Sequence, residues 1–353
     1  MGGSDFSENS LSSTEVVGLE GCKMPDLPEE RLNHGSFITK SGALAVCGGF
    51  WAGKPFSSDC LVLNSTSKQW ERGVLGPLLG NSVLGVINLD NGTYMVHPTT
   101  SSYLPHDDHN WVAGPASPLD GMRLFECATG ISSTSFLAFS SSSVHQFDSS
   151  IAGPSNTSGW LTDIVWPELM EERHAFGCAT LGSFAIVAGG RDTLDDVLRS
   201  VEIISLEFKT VDNANMLKPR FDFKLVVLGT TLFAVGGSND TSIEMWEGLG
   251  EPWEEAAFSL STSRRSFSAL SYSDRQQCFD DPVPLHTCPT LDGNSCKFPF
   301  ANGAAGSQSF SSCFSENGEA FSCSTQTGGW AQCNAEKCPM NGEFEFKIRC
   351  CSW

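Results

Sequence analysis

Apolar runs of four or five residues alternate with polar loops through the first 273 residues of the chain. The runs at 43–47, 184–188 and 232–235 are rich in Val, Ile and Phe and too short for buried helices, so they predict strands. Each leads into a Gly-Gly doublet, then a polar loop, then a further strand pattern at 60–63, 200–204 or 241–245, and then a large aromatic such as Trp70, Phe208 or Trp253. Another strand pattern precedes each run, at 34–38, 177–181 and 266–270. Four strands per period predict a propeller blade, with the aromatic packed between neighbouring blades.

The doublets set the period. Gly2-Gly3, Gly48-Gly49, Gly189-Gly190 and Gly236-Gly237 follow one another at intervals of 46, 141 and 47 residues, and 141 is three times 47. Two repeats therefore lack a doublet, and their apolar runs stand at 93–97 and 135–139. One such unit cannot bury its apolar face alone and must stack on its neighbours. The expectation is an all-β fold: a six-bladed propeller over residues 1–273, followed by a small disulfide-rich domain over 274–353. The paired glycines fit a turn where positive φ is needed or a side chain would clash. The last inner strand and the N-terminal outer strands are expected to complete one blade together, which removes free sheet edges. The apolar run that should precede Gly2 is absent from this sequence, which leaves two readings, an N-terminal truncation or a short blade.

An apolar strand, a Gly-Gly doublet and a spaced aromatic together resemble the kelch repeat. The resemblance implies a six-bladed propeller. It also implies a framework role for an Arg ahead of the innermost strand, here Arg31, Arg173 and Arg220. Kelch-type propellers include copper oxidases that use two Tyr and two His. This chain has three tyrosines, none paired with histidines in a repeated loop pattern, so no cofactor is expected. His106-Asp107-Asp108-His109 is the best metal candidate by composition, but a solvated polar loop is the favoured reading.

Cysteine usage changes the picture. Nine of 14 cysteines fall after residue 277, in a segment poor in Ile, Leu and Val that cannot hold itself together by its core. One His, an adjacent Cys350-Cys351 pair and no paired Cys-x-x-Cys knuckles disfavour zinc. Disulfides and an oxidising compartment are expected. Cys47 and Cys60 flank one loop and suit a cross-strand bridge. Cys127 and Cys178 occupy matching places in two repeats and read as buried strand thiols rather than a bond. Cys22 has no obvious partner. Within the tail, Cys296-Lys-Phe-Pro-Phe300, then Cys313, Cys323 and Trp330-Ala-Gln-Cys333 resemble the fibronectin type II module. That resemblance implies the pairs Cys296–Cys323 and Cys313–Cys333, with Phe298 and Trp330 mostly buried and Phe310 or Phe321 as contact candidates. Phe50-Trp51, directly after a doublet, are further candidates, with packing the favoured reading over display.

With 21 basic and 41 acidic residues the net charge is −20, and no basic patch is available to displace counterions from a nucleic acid or to meet an anionic membrane. No apolar run is long enough for a membrane helix, so no membrane insertion is expected. The first eight residues show no signal-peptide pattern. Sequons at Asn64, Asn91, Asn156 and Asn239 agree with a secreted glycoprotein. No catalytic triad pattern stands out. The leading expectation is a secreted, non-enzymatic recognition protein that binds an extracellular protein or glycan. The alternatives are an extracellular enzyme using the propeller channel and an intracellular kelch adaptor.

Overall fold

The structure is a computed structural model. It describes residues 1–271 except 6, 19–21, 51–56, 77, 79–81, 120–123, 152–158 and 238–239, and beyond 271 only the backbone of six short strands. The chain divides into two compact units, Met1–Phe279 and Asp280–Trp353.

The first unit is a β-propeller of five blades. The first blade holds β1 (Gly35–Ile38), β2 (Leu44–Cys47), β3 (Cys60–Leu63) and β4 (Trp70–Arg72) in consecutive antiparallel order. The second holds β5 (Gly85–Leu89), β6 (Gly92–Val96), β7 (Ser101–Pro105) and β8 (Val112–Ala113). The third has three strands, β9 (Cys127–Gly130), β10 (Ser135–Phe139) and β11 (Val144–Asp148). The fourth comprises β12 (Gly177–Leu181), β13 (Phe184–Ala188), β14 (Ser200–Ser205) and β15 (Val211–Asn215). The fifth comprises β16 (Lys224–Leu228), β17 (Thr231–Val235), β18 (Ser242–Trp246) and β19 (Glu254–Ser259). The described residues contain no helix, so none is long and apolar enough to cross a membrane.

The count of six blades is corrected to five. Residues of the sixth repeat, 1–17 and 264–271, lie in the ring but form no sheet: they are joined by the isolated bridge Ser4↔Arg265 and by hydrogen bonds between Met1 and Ser268. The reason is that, among the described residues, the inner segment 268–271 pairs only at Ser268 with Met1, too short a ladder to make a sheet.

Middle strands are buried on both faces, as β2, β6 and β10 show along their whole length. Their side chains pack between blades: Leu137 and Val187 share one cluster, Ile186, Phe223 and Trp246 another. Trp246 and Trp253 stack at 5.9 Å, whereas Phe208 is 72% exposed and seals nothing.

Two bonds cross-link the propeller's described residues. Cys47 and Cys60 face each other across β2 and β3, with a Cα separation of 4.1 Å. Cys127 and Cys178 are bonded, with Cα atoms 6.0 Å apart, which corrects the reading of two buried thiols. Matching positions on the innermost strands of adjacent blades lie side by side, so the equivalence taken as a sign of bland packing is what brings the sulfurs together. Cys22 is also disulfide-bonded.

In the second unit, β20 (Cys288–Pro289) pairs with β21 (Ser295–Cys296), β22 (Phe300–Ala301) with β23 (Ser309–Phe310), and β24 (Ser322–Ser324) with β25 (Trp330–Gln332). The bonds Cys296–Cys323 and Cys313–Cys333, and the side chains of Phe298, Phe310, Phe321 and Trp330, lie outside what the structure describes. So do Trp51, Asn156 and Asn239.

Candidate functional site: the mouth of the central channel

Four arginines build one end of the ring. Arg31, Arg173, Arg220 and Arg264 are at most 1% exposed, and each donates from Nη1 to the carbonyl of the first glycine of a doublet: Gly48 at 2.8 Å, Gly189 at 2.9 Å, Gly236 at 2.7 Å and Gly2 at 2.9 Å. A charge taken out of water needs a partner, and each has one: Asp59, Glu202, Glu244 and Glu15. Glu202 and Glu244 also accept two main-chain N–H groups apiece, so the acid holds the incoming chain as well as the guanidinium.

The doublet glycines are clamps between blades. All eight have φ between 57° and 97°. The second glycine donates its N–H to the carbonyl of the next blade's arginine: Gly190 to Arg220 at 2.7 Å, Gly237 to Arg264 at 2.8 Å and Gly3 to Arg31 at 2.7 Å. A Cβ on Gly190 would stand 2.6 Å from the His174 carbonyl oxygen, so only glycine allows this approach.

Two residues beyond each arginine, Asn33, Ala175, Asp222 and Ser266 take φ of 50–53° and form a second ring around the mouth. Asp222 N–H donates to the Ala175 carbonyl, Ser266 to Asp222, Asn33 to Ser266, and Val83 to Asn33. In the third repeat a side chain takes the carbonyl's part, since Ala175 N–H donates to Glu126 Oε2 at 3.3 Å.

Inside this mouth runs a channel of about 390 Å³, lined by β1, β5, β9, β12, β16 and the segment 268–271. Burial pushes the Glu126 and Asp222 carboxyls up, and the nearby cations Lys224, Arg265, Arg191 and His174 only partly offset this for Asp222. Burial lowers the Lys224 ammonium, opposed by Asp222. The His34 imidazole is held well below its usual range, first by burial and then by the charges of the N-terminus, Arg31 and Lys224. His34 Nε2 lies 2.7 Å from Ser268 Oγ, but both groups are buried in the wall, and among the described residues no carboxylate forms an ion pair with His34. The Ser–His contact is therefore a wall hydrogen bond rather than an activated nucleophile.

Phe50 and Arg191, each directly after a doublet, lie at the same end of the ring. Phe50 is half-buried and bridges Leu32, exchanging two main-chain hydrogen bonds with it. Arg191 sits 3.8 Å from the Phe221 ring centroid and pairs with Asp195, while Arg265 lies 5.8 Å over the same ring. His106-Asp107-Asp108-His109 forms a solvated loop: Asp108 Oδ1 accepts the N–H groups of His109 and Asn110, and Asp107 pairs with exposed Lys40. Among the described residues no group of three His, Cys, Asp or Glu side chains could hold a metal.

Asn64 and Asn91 both lie at turns outside the core. Asn64 Oδ1 accepts from Thr66 and Ser67 N–H, and Asn91 is exposed. Sequence reasoning missed the Arg191–Phe221–Arg265 stack, Glu126, Asp222 and Lys224. Their signal was available only in register: Asp222 occupies the second place after a framework arginine, as Asn33 does.

No family model and no curated protein matches the chain.

Proposed function

We propose that this is a secreted, disulfide-bonded recognition protein of the kelch-repeat type, with a fibronectin type II-like module at its C-terminal end. It binds an extracellular protein or glycan at the channel mouth. The observation that carries the reading is the half-buried Phe221 ring, with Arg191 3.8 Å and Arg265 5.8 Å from its centroid and Asp195 paired to Arg191. Guanidinium groups gathered on an aromatic ring suit a sugar's hydroxyls or a peptide side chain, and they sit on a rigid ring of clamps. The Cys127–Cys178 bond is compatible with a secreted compartment, since such bonds persist under oxidising conditions. Neither a nucleic acid nor a metal enters this reading.

The test is a screen of the secreted protein against immobilised glycans and extracellular proteins, repeated with Phe221→Ala and Arg191→Ala. Leu228→Ala, at the far end of an inner strand and 51% exposed, is the control. A ligand at the mouth loses at least tenfold in affinity with the first two substitutions and nothing with the third. Binding indifferent to Phe221 and Arg191 would refute the assignment.

A second reading, an extracellular enzyme at the channel, is favoured by one observation. Glu126, Asp222 and Lys224 converge from two blades with their proton affinities moved toward neutrality.

A further inference from the structure

Among the described residues, every buried or half-buried arginine but one is hydrogen-bonded. Arg31, Arg173, Arg191, Arg220 and Arg264 each donate at least one bond from the guanidinium. The Arg265 side chain is only 20% exposed, yet its guanidinium donates none, and its Nε is buried without a partner. Its one ion pair is a 3.7 Å approach to Glu8, whose side chain is 83% exposed, and a contact that long and that wet contributes little. A guanidinium carries five N–H donors, and taking them out of water unsatisfied costs free energy.

The surroundings of Arg265 define what would satisfy it. It shares the Phe221 ring with Arg191, whose Nη1 serves the Asp195 carboxylate and carbonyl at 2.9 and 3.1 Å. The other donors of Arg191 make no hydrogen bond among the described residues, so two cations with free N–H groups meet at one ring. Such groups bind an oxyanion through paired, charge-assisted N–H···O bonds. Asp222 lies close enough for both cations to favour its charged form, but its carboxyl forms no hydrogen bond or ion pair with either. Glu126 accepts one hydrogen bond, from Ala175 N–H to Oε2, and its other oxygen accepts none. The mouth therefore holds unused acceptors beside unused cationic donors. An acidic peptide side chain brings acceptors alone and meets Asp222 and Glu126 as like charges. A sugar carrying an acid brings hydroxyl donors for the carboxyls together with an oxyanion for the guanidinium.

We infer that the mouth takes an acidic saccharide, with Arg265 binding its carboxylate or sulfate and Glu126 and Asp222 accepting from its hydroxyls. This rests on the reading of the mouth as a ligand site and narrows it to one class of ligand. The chain's net charge of −20 repels a polyanion, so the ligand is one with a single acidic group near its recognised end.

The test uses the whole 353-residue protein, secreted and disulfide-bonded, in calorimetric titrations. Sialyllactose and cellobiouronic acid supply a carboxylate, lactose monosulfate a sulfate, and lactose and cellobiose are their neutral partners. At least one acidic sugar should bind at least tenfold more tightly than its neutral partner, and the carboxylate and sulfate arms show which oxyanion fits. Arg265→Gln should abolish that preference without lowering the melting temperature, because the guanidinium makes no hydrogen bond in the free protein. Arg265→Lys keeps the charge but loses the planar fork, so it should retain only part of the preference, and it carries the test if the Gln variant does not fold. Equal affinity for acidic and neutral sugars, or a preference indifferent to Arg265→Gln, would overturn the inference and leave the mouth as a ligand site. So would a protein ligand lost with Phe221→Ala when none of the sugars binds. A mouth with no ligand sensitive to Phe221→Ala would overturn both.

Discussion

Arg220 and Glu244 show what a single residue does in this fold. Both side chains are 0% exposed, so neither can recruit water if the other is lost. Arg220→Ala leaves an uncompensated buried carboxylate and should lower unfolding free energy by about 3–5 kcal/mol in a denaturant titration, with the double Ala variant losing less than the sum of the two single changes. Glu126 makes the opposite case. Its carboxyl is pushed above its ordinary 4.5 chiefly by burial, so the folded state binds the proton more tightly than the unfolded chain. Stability linked to it is present at low pH and is lost as pH rises from about 4.5 through the raised value. Glu126→Gln should therefore raise the melting temperature at pH 7, with the advantage vanishing near pH 4. An advantage that persists at low pH would mean that desolvation of the charge is not what Glu126 costs the fold.

At the level of elements, glycine doublets and arginines act as one device: a turn, a clamp to the next blade and a buried cation that holds the turn's carbonyl. Gly190→Ala should destabilise by more than about 1 kcal/mol, because the new Cβ meets both the His174 carbonyl and Phe176 at a φ of 95°. The Cys127–Cys178 bond spans 51 residues and ties blade to blade, so replacing both cysteines with alanine should lower stability by about 2–4 kcal/mol in the same titration. Strands and doublets were legible in the sequence because a short apolar run ending in Gly-Gly has a local physical cause. Register between repeats was not, because neighbours in a propeller ring are set by tertiary stacking. Two cysteines at matching places thus read as bland until the inner strands were seen side by side. Phe208 failed for the same reason, occupying an aromatic's place in the period while pointing into solvent.

For the whole molecule, the recurrence of one unit made the propeller readable, but the blade count depended on whether each repeat forms a sheet, and among the described residues the sixth does not. The five sheets and the incomplete sixth segment still close a ring, because Gly237 clamps to Arg264 and Gly3 to Arg31 across the gap. The channel mouth was hardly legible: Phe50 was singled out, whereas the Arg191–Phe221–Arg265 stack is assembled from loops of different repeats. The account rests on an oxidised protein outside the cytosol. Its most direct test is a non-reducing peptide map of the chain recovered from a eukaryotic secretory host with a leader supplied. It predicts the linked pairs Cys47–Cys60 and Cys127–Cys178, with glycan on Asn64 or Asn91. Free thiols at Cys127 and Cys178 with unmodified asparagines would contradict it.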